Sequence, residues 1–117
     1  MKYVIMFTSE PAQLADVPAE RLDAIYGEVY TWFDKYGPSF ADGGAELQPR
    51  DTAKTVRAGA NGQPVITDGP YLELKEVIGA IVMLECDEID EAARIAATWP
   101  LAAGMSALEI RPVMSRE

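Results

Sequence analysis

The sequence contains no histidine, and one cysteine, Cys86, in 117 residues. The missing imidazole removes the commonest general base and, with a lone thiol, the usual nitrogen and sulfur ligand sets for zinc. One cysteine also rules out an internal disulfide framework. Basic residues are scarce: ten Lys and Arg stand against nineteen Asp and Glu, for a net charge of −9. Binding to nucleic acid or an anionic membrane needs clustered cations, so neither partner is expected. The nearest cluster, Arg50, Lys54 and Arg57, has Asp51 among it. No apolar run approaches the ~18 residues of a membrane span. The opening Met1-Lys2-Tyr3-Val4-Ile5-Met6-Phe7 is too short for a secretory h-region and reads as a strand. A cytoplasmic protein is the expectation. There is no glycine-rich phosphate loop, dinucleotide fingerprint or nucleophile-elbow serine, so no cofactor is expected.

What remains is ordinary globular material, with 49% apolar residues, enough for one core and one domain spanning 1–117. Residues 2–8 are apolar nearly throughout, which suits a central strand buried on both faces. Val17-Pro18-Ala19-Glu20 opens a helix, with Pro18 in its first turn and Asp16 or Val17 as cap. Leu22, Ile25, Tyr26, Val29, Phe33 and Tyr36 follow at spacings of three and four, a core stripe of helical period. Tyr30 and Trp32 lie beside it and are candidates for a partner contact. Gly37-Pro38 stops the helix. Residues 39–48 carry a weak strand signal broken by Asp42-Gly43-Gly44, where a turn or bulge is expected.

Residues 52–57 read as a strand, Asn61-Gly62 as a hairpin turn, and 64–67 as the returning strand. Residues 77–84 form another buried strand, in which Gly79 marks a bulge or leaves room for a ligand. Cys86 reads as a small hydrophobe at that strand's end. The acids Glu85, Asp87, Glu88, Asp90 and Glu91 lack calcium-loop spacing and read as a helix start, with Asp87 the cap. Ile89, Ala92, Ala93 and Ala96 share one face of that helix, Trp99-Pro100 ends it, and 107–113 is the last strand. This order predicts an α+β domain: two helices on one face of an antiparallel sheet, the other face apolar and uncovered. Pairing two such faces would bury them, so a homodimer is expected.

Chemistry concentrates in residues 67–76. Asp68-Gly69-Pro70 is a compact turn, in which Gly69 can take positive φ and Asp68 can bond the backbone ahead of it. Pro70 would also suit the first turn of a short helix, with Asp68 near its cap. Without histidine, Asp68 and Glu73 are the candidate catalytic acid and base, and burial near Tyr71 would raise a carboxylate pKa. Arg57 and Arg111 could hold an anionic substrate in bidentate fashion, with Lys75 beside Asp68 or Glu73. Gly69, Pro70 and Tyr71 complete the candidate ligand site. The plainer reading makes Asp68 a cap and Lys75 a solvated charge.

Asp68-Gly69-Pro70-Tyr71 followed by Glu73 and Lys75-Glu76 resembles the Asp-Gly-Pro-Phe signature of the YCII-related (DGPF-domain) family. So do Leu47-Gln48-Pro49, Thr55-Val56-Arg57, Gly79 and the closing Glu109-Ile110-Arg111-Pro112-Val113. The resemblance implies a ferredoxin-like fold that pairs into a dimeric α+β barrel with a ligand cleft. Tyr71 replaces the usual Phe, and Leu74 a smaller residue. The His-Asp pair of broader YCII-like relatives has no counterpart in a chain without histidine. Three functions follow as expectations. One is a dimer binding a small organic ligand near the turn, with acid–base catalysis. A second is a non-catalytic accessory module, since relatives are often encoded beside extracytoplasmic-function sigma factors. The third is a structural domain.

Overall fold

The computed structural model describes residues 1–9, 16–70, 77–100 and 106–115. Six strands occur in these segments: β1 (Lys2–Ser9), β2 (Phe40–Glu46), β3 (Lys54–Ala58), β4 (Pro64–Asp68), β5 (Val77–Glu85) and β6 (Ser106–Pro112). Two α-helices accompany them, α1 (Ala19–Tyr36) and α2 (Ile89–Ala97). Four strands make one antiparallel sheet in the order β2-β5-β1-β6, and β3 and β4 form a separate hairpin. Without that hairpin the order βαββαβ and the sheet order are those of a ferredoxin-like fold.

The core lies on one face of the sheet. Tyr3, Ile5 and Phe7 of β1 are buried with Val82 and Leu84 of β5, Trp32 of α1, and Ala92 and Ala96 of α2. Both helices therefore cover the same side. The intervening residues Val4, Met6, Ile81 and Met83 point to the other side and are only half-buried. The expectation that β1 is buried on both faces is thus corrected. Its unbroken apolarity suits two covers, and this chain supplies one.

The helix seams differ in detail from the sequence reading. Ile25 and Trp32 are the buried residues of α1, whereas Tyr26 is 54% exposed and Phe33 36%. The seam runs 25, 29, 32, 36, a helical stripe rotated slightly from the expected one. Trp32 is consequently a core residue and not a partner contact. Its indole N–H donates to Thr98 Oγ1 at 2.9 Å, which donates in turn to the Ile95 carbonyl at 2.6 Å. In α2 the seam is Ala92, Ile95 and Ala96, while Ile89 and Ala93 face outward. Two cap expectations also change. Pro18 occupies the cap of α1 and Glu88 that of α2, neither with a side-chain bond. Pro18 instead offers its carbonyl to the Leu22 N–H at 3.0 Å. The Asp87 N–H donates to Glu91 Oε2 at 3.2 Å, so Glu91 and not Asp87 supplies the side-chain contact.

The chain is extended for its mass. Its radius of gyration is 16.6 Å, against about 13 Å for a compact domain of this length. Its accessible surface is 8536 Å², where surface scaling for a compact monomer gives roughly 6,300 Å².

Candidate functional site

Two bulges shape one corner of the sheet. Between Ala41 and Ala45, residues 42–44 of β2 span the space that Val82 alone occupies on β5. Gly43 takes φ +114°, and a Cβ on Gly44 would stand 2.8 Å from the Ile81 carbonyl oxygen. Only glycines let β2 bend and approach in this way. The second bulge is Gly79: Phe7 pairs with Ala80 and Thr8 with Ile78, so Gly79 is left between them. The bulges expected at Asp42-Gly43-Gly44 and Gly79 are both present.

Beside them a cleft of about 660 Å³ opens between α1 and the edge strand β2, within the usual size range for small-molecule sites. Its floor is aromatic. Phe7, Phe33, Phe40 and Trp99 line it, with the Phe7 and Trp99 rings 4.7 Å apart and tilted 66°. Trp32 supports them from below, its ring 5.0 Å from that of Trp99. One wall is Tyr26, Val29 and Tyr30 of α1, and the other is residues 41–46 of β2. Tyr26 and Tyr30 stand one helical turn apart, 54% and 72% exposed. Asp42 and Glu46 add carboxylates, and Thr8 and Ser9 hydroxyls. No Lys or Arg occurs among the described lining residues. Gly79 borders the cleft, and a Cβ built on it meets nothing within 4 Å.

Those of the site residues singled out by sequence that are described lie elsewhere. Asp68 closes β4 and is solvent-exposed, its carboxylate 2.5 Å from Lys54 Nζ. Gly69 adopts φ +92°; its N–H donates to the Ala53 carbonyl at 2.8 Å and its own carbonyl accepts from Thr55 Oγ1 at 2.7 Å. Arg57 is on β3, and Arg111 is on β6 opposite Val4, both exposed. Tyr71, Glu73 and Lys75 lie outside the described residues, as does the short helix suggested after Pro70. Asp68, Gly69, Pro70, Arg57 and Arg111 do not line the cleft. Sequence reasoning missed Tyr26, Tyr30, Phe33 and Asp42 as site residues. The signal that could have found them is the coincidence of an interrupted glycine-rich strand with outward tyrosines at i and i+4. Cys86 is buried just beyond β5, where burial pushes its thiol pKa above the ordinary 9.0 and Glu91 adds to the shift. Both its burial and the raised pKa disfavour the thiolate that a nucleophile would need.

The family model of the YCII-related domain matches residues 1–116. No curated protein matches the sequence. Among solved structures, one similar chain is 5-chloro-2-hydroxyhydroquinone dehydrochlorinase (TftG) from Burkholderia phenoliruptrix AC1100, in complex with 2,5-dihydroxybenzoquinone. The likeness has a TM-score of 0.56 at 17% identity and covers 97% of this chain and 94% of that one. At that identity it establishes a shared fold.

Proposed function

The chain belongs to the YCII-related family, and we propose that it binds an uncharged, hydroxylated ring compound in the cleft between α1 and β2. The observation that carries this is the cleft's lining: an aromatic floor, two tyrosine hydroxyls, two carboxylates and no described cation. Flat rings stack on such a floor, worth about 0.5–1.5 kcal/mol per aromatic pair beyond burial. Ring hydroxyls would donate to Asp42 or Glu46, and the phenols of Tyr26 and Tyr30 would donate to ring oxygens. Among the described lining residues an anionic ligand would meet two carboxylates and no compensating charge, so this reading takes a neutral ring in place of the anionic substrate expected from Arg57 and Arg111. The structural neighbour's quinonoid ligand is compatible with a ring site on this fold. The acids and phenols at the cleft provide acid–base chemistry without histidine.

A homodimer forms part of the same reading. The half-buried face of Val4, Met6, Ile81 and Met83 is apolar, and a second copy set against it would complete the cover of β1. Among the described residues no helix is long and apolar enough to cross a membrane.

The test is a titration followed by tryptophan fluorescence, since Trp99 lines the cleft and Trp32 adjoins it. Hydroquinone should quench saturably, and its carboxylated analogue gentisate at least tenfold more weakly. Stronger binding of gentisate would overturn the neutral-ring reading.

A second reading keeps Asp68 and Glu73 as acid–base groups serving the same cleft. It is favoured by chain order, because the signature segment precedes β5 in the sequence, and Gly79 of β5 borders the cleft. Asp68→Asn should then change ligand affinity or turnover. A change confined to stability would exclude this reading.

A further inference from the structure

The β3–β4 hairpin stands apart from the four-stranded sheet, and its residues are almost all exposed. Its register pairs Val56 with Ile66, Ala58 with Pro64 and Lys54 with Asp68. These pairs share one face, because side chains two apart on a strand point the same way. That face is an apolar strip closed at one end by the Lys54–Asp68 ion pair. At its centre Val56 is 63% exposed and Ile66 67%. A two-stranded hairpin is at best marginally stable in water without a surface to pack on.

We infer that the hairpin is a dimerisation arm, with its Val56–Ile66 face buried against a second copy of this chain. The inference rests on the dimer reading above and adds to it a specific element. Area favours this occupant. The chain exposes 8536 Å², about 2,200 Å² more than surface scaling allows a compact monomer. Obligate homodimers bury about 1,000–2,500 Å² per partner, so the surplus matches what one such interface removes. The half-buried sheet face, without the arm, leaves Val56, Ile66, Ala58 and Pro64 among that surplus. In a two-fold dimer each protomer would contribute its arm once and receive its partner's once. The arm also carries Asp68 and Gly69, so the signature turn would be fixed by dimerisation.

The experiment compares dimer dissociation constants for wild type and Val56→Thr/Ile66→Thr by analytical ultracentrifugation. Both replacements keep β-branching, and circular dichroism monitors the fold. The arm predicts dissociation at least tenfold easier in the variant, from lost apolar burial at two positions. A folded variant with an unchanged constant would overturn the arm while leaving the dimer intact. A wild type that stays monomeric at all concentrations would overturn both. Should the double variant not fold, Val56→Cys in a Cys86→Ala background reads the same contact. Maleimide labelling should be slowed in the dimer and fast in dilute monomer, and equal rates would refute burial of the arm.

Discussion

Gly79 and Gly44 both border the cleft, yet the structure assigns them opposite responses to a side chain. At Gly79 a built Cβ meets nothing within 4 Å, and φ is not positive. Gly79→Ala should therefore be neutral or stabilise by about 0.4–1 kcal/mol, through the lost freedom of the unfolded chain. Gly79→Leu should also fold, but its side chain would take space beside Phe7 and Ala80 in a cleft of about 660 Å³. A ring ligand would then lose its stacking surface, weakening binding by at least tenfold, or about 1.4 kcal/mol. At Gly44 even one methyl would stand 2.8 Å from the Ile81 carbonyl oxygen and 3.1 Å from Val82 Cα, both backbone atoms that cannot rotate away. Gly44→Ala should cost about 1–3 kcal/mol, as overpacking does. Urea unfolding and the hydroquinone titration separate the effects: Gly79→Leu alters binding with stability kept, and Gly44→Ala lowers stability. Full hydroquinone affinity in a folded Gly79→Leu would refute the placement of the ligand, and an undiminished Gly44→Ala would refute the geometry of the bulge.

Trp32→Phe removes the bond to Thr98 and part of the aromatic cluster while keeping a ring, so calorimetry should show a loss of about 1–3 kcal/mol. Asp68→Asn breaks an ion pair whose side chains are 68% and 89% exposed; chemical denaturation should show a loss under about 1 kcal/mol, and a larger loss would show that Asp68 is tied into structure beyond Lys54. Cys86 has a raised pKa when folded, so the unfolded chain gives up its proton first. Its effect on stability is absent below pH 9.0 and becomes a loss as pH rises above that value. Cys86→Ala should flatten that alkaline decline, and parallel curves for the two proteins would contradict the burial argument.

The fold was legible because its signals are local and periodic. The Asn61-Gly62 turn takes positive φ at Gly62, as a tight hairpin requires. The apolar strands and Gly37-Pro38 stop fall where composition puts them. The choice between Phe33 and Trp32 as the inward residue was not legible. Adjacent helical stripes both satisfy the period, and only the docking of α1 on Phe7 and Trp99 decides between them. The cleft was harder still. It is assembled from β1, α1, β2, β5 and Trp99, which are separated widely in sequence, and its polar groups are ordinary surface tyrosines, hydroxyls and acids. The signature turn drew notice because turn residues and charges cluster there in sequence. In space, Asp68 sits on a hairpin whose visible bonds hold the turn itself: Gly69 to Ala53 and Thr55 to Gly69. Gly79 was the exception, since a glycine inside an apolar strand marks both a bulge and unfilled space.

The most direct measurement is a crystal structure of the protein grown with hydroquinone. The account predicts ring density over Phe7 and Trp99, between Tyr30 and Gly79, with a ring hydroxyl facing Asp42 or Glu46. Density at the Asp68-Gly69-Pro70 turn with an empty cleft, or no bound ring at saturating concentration, would contradict it.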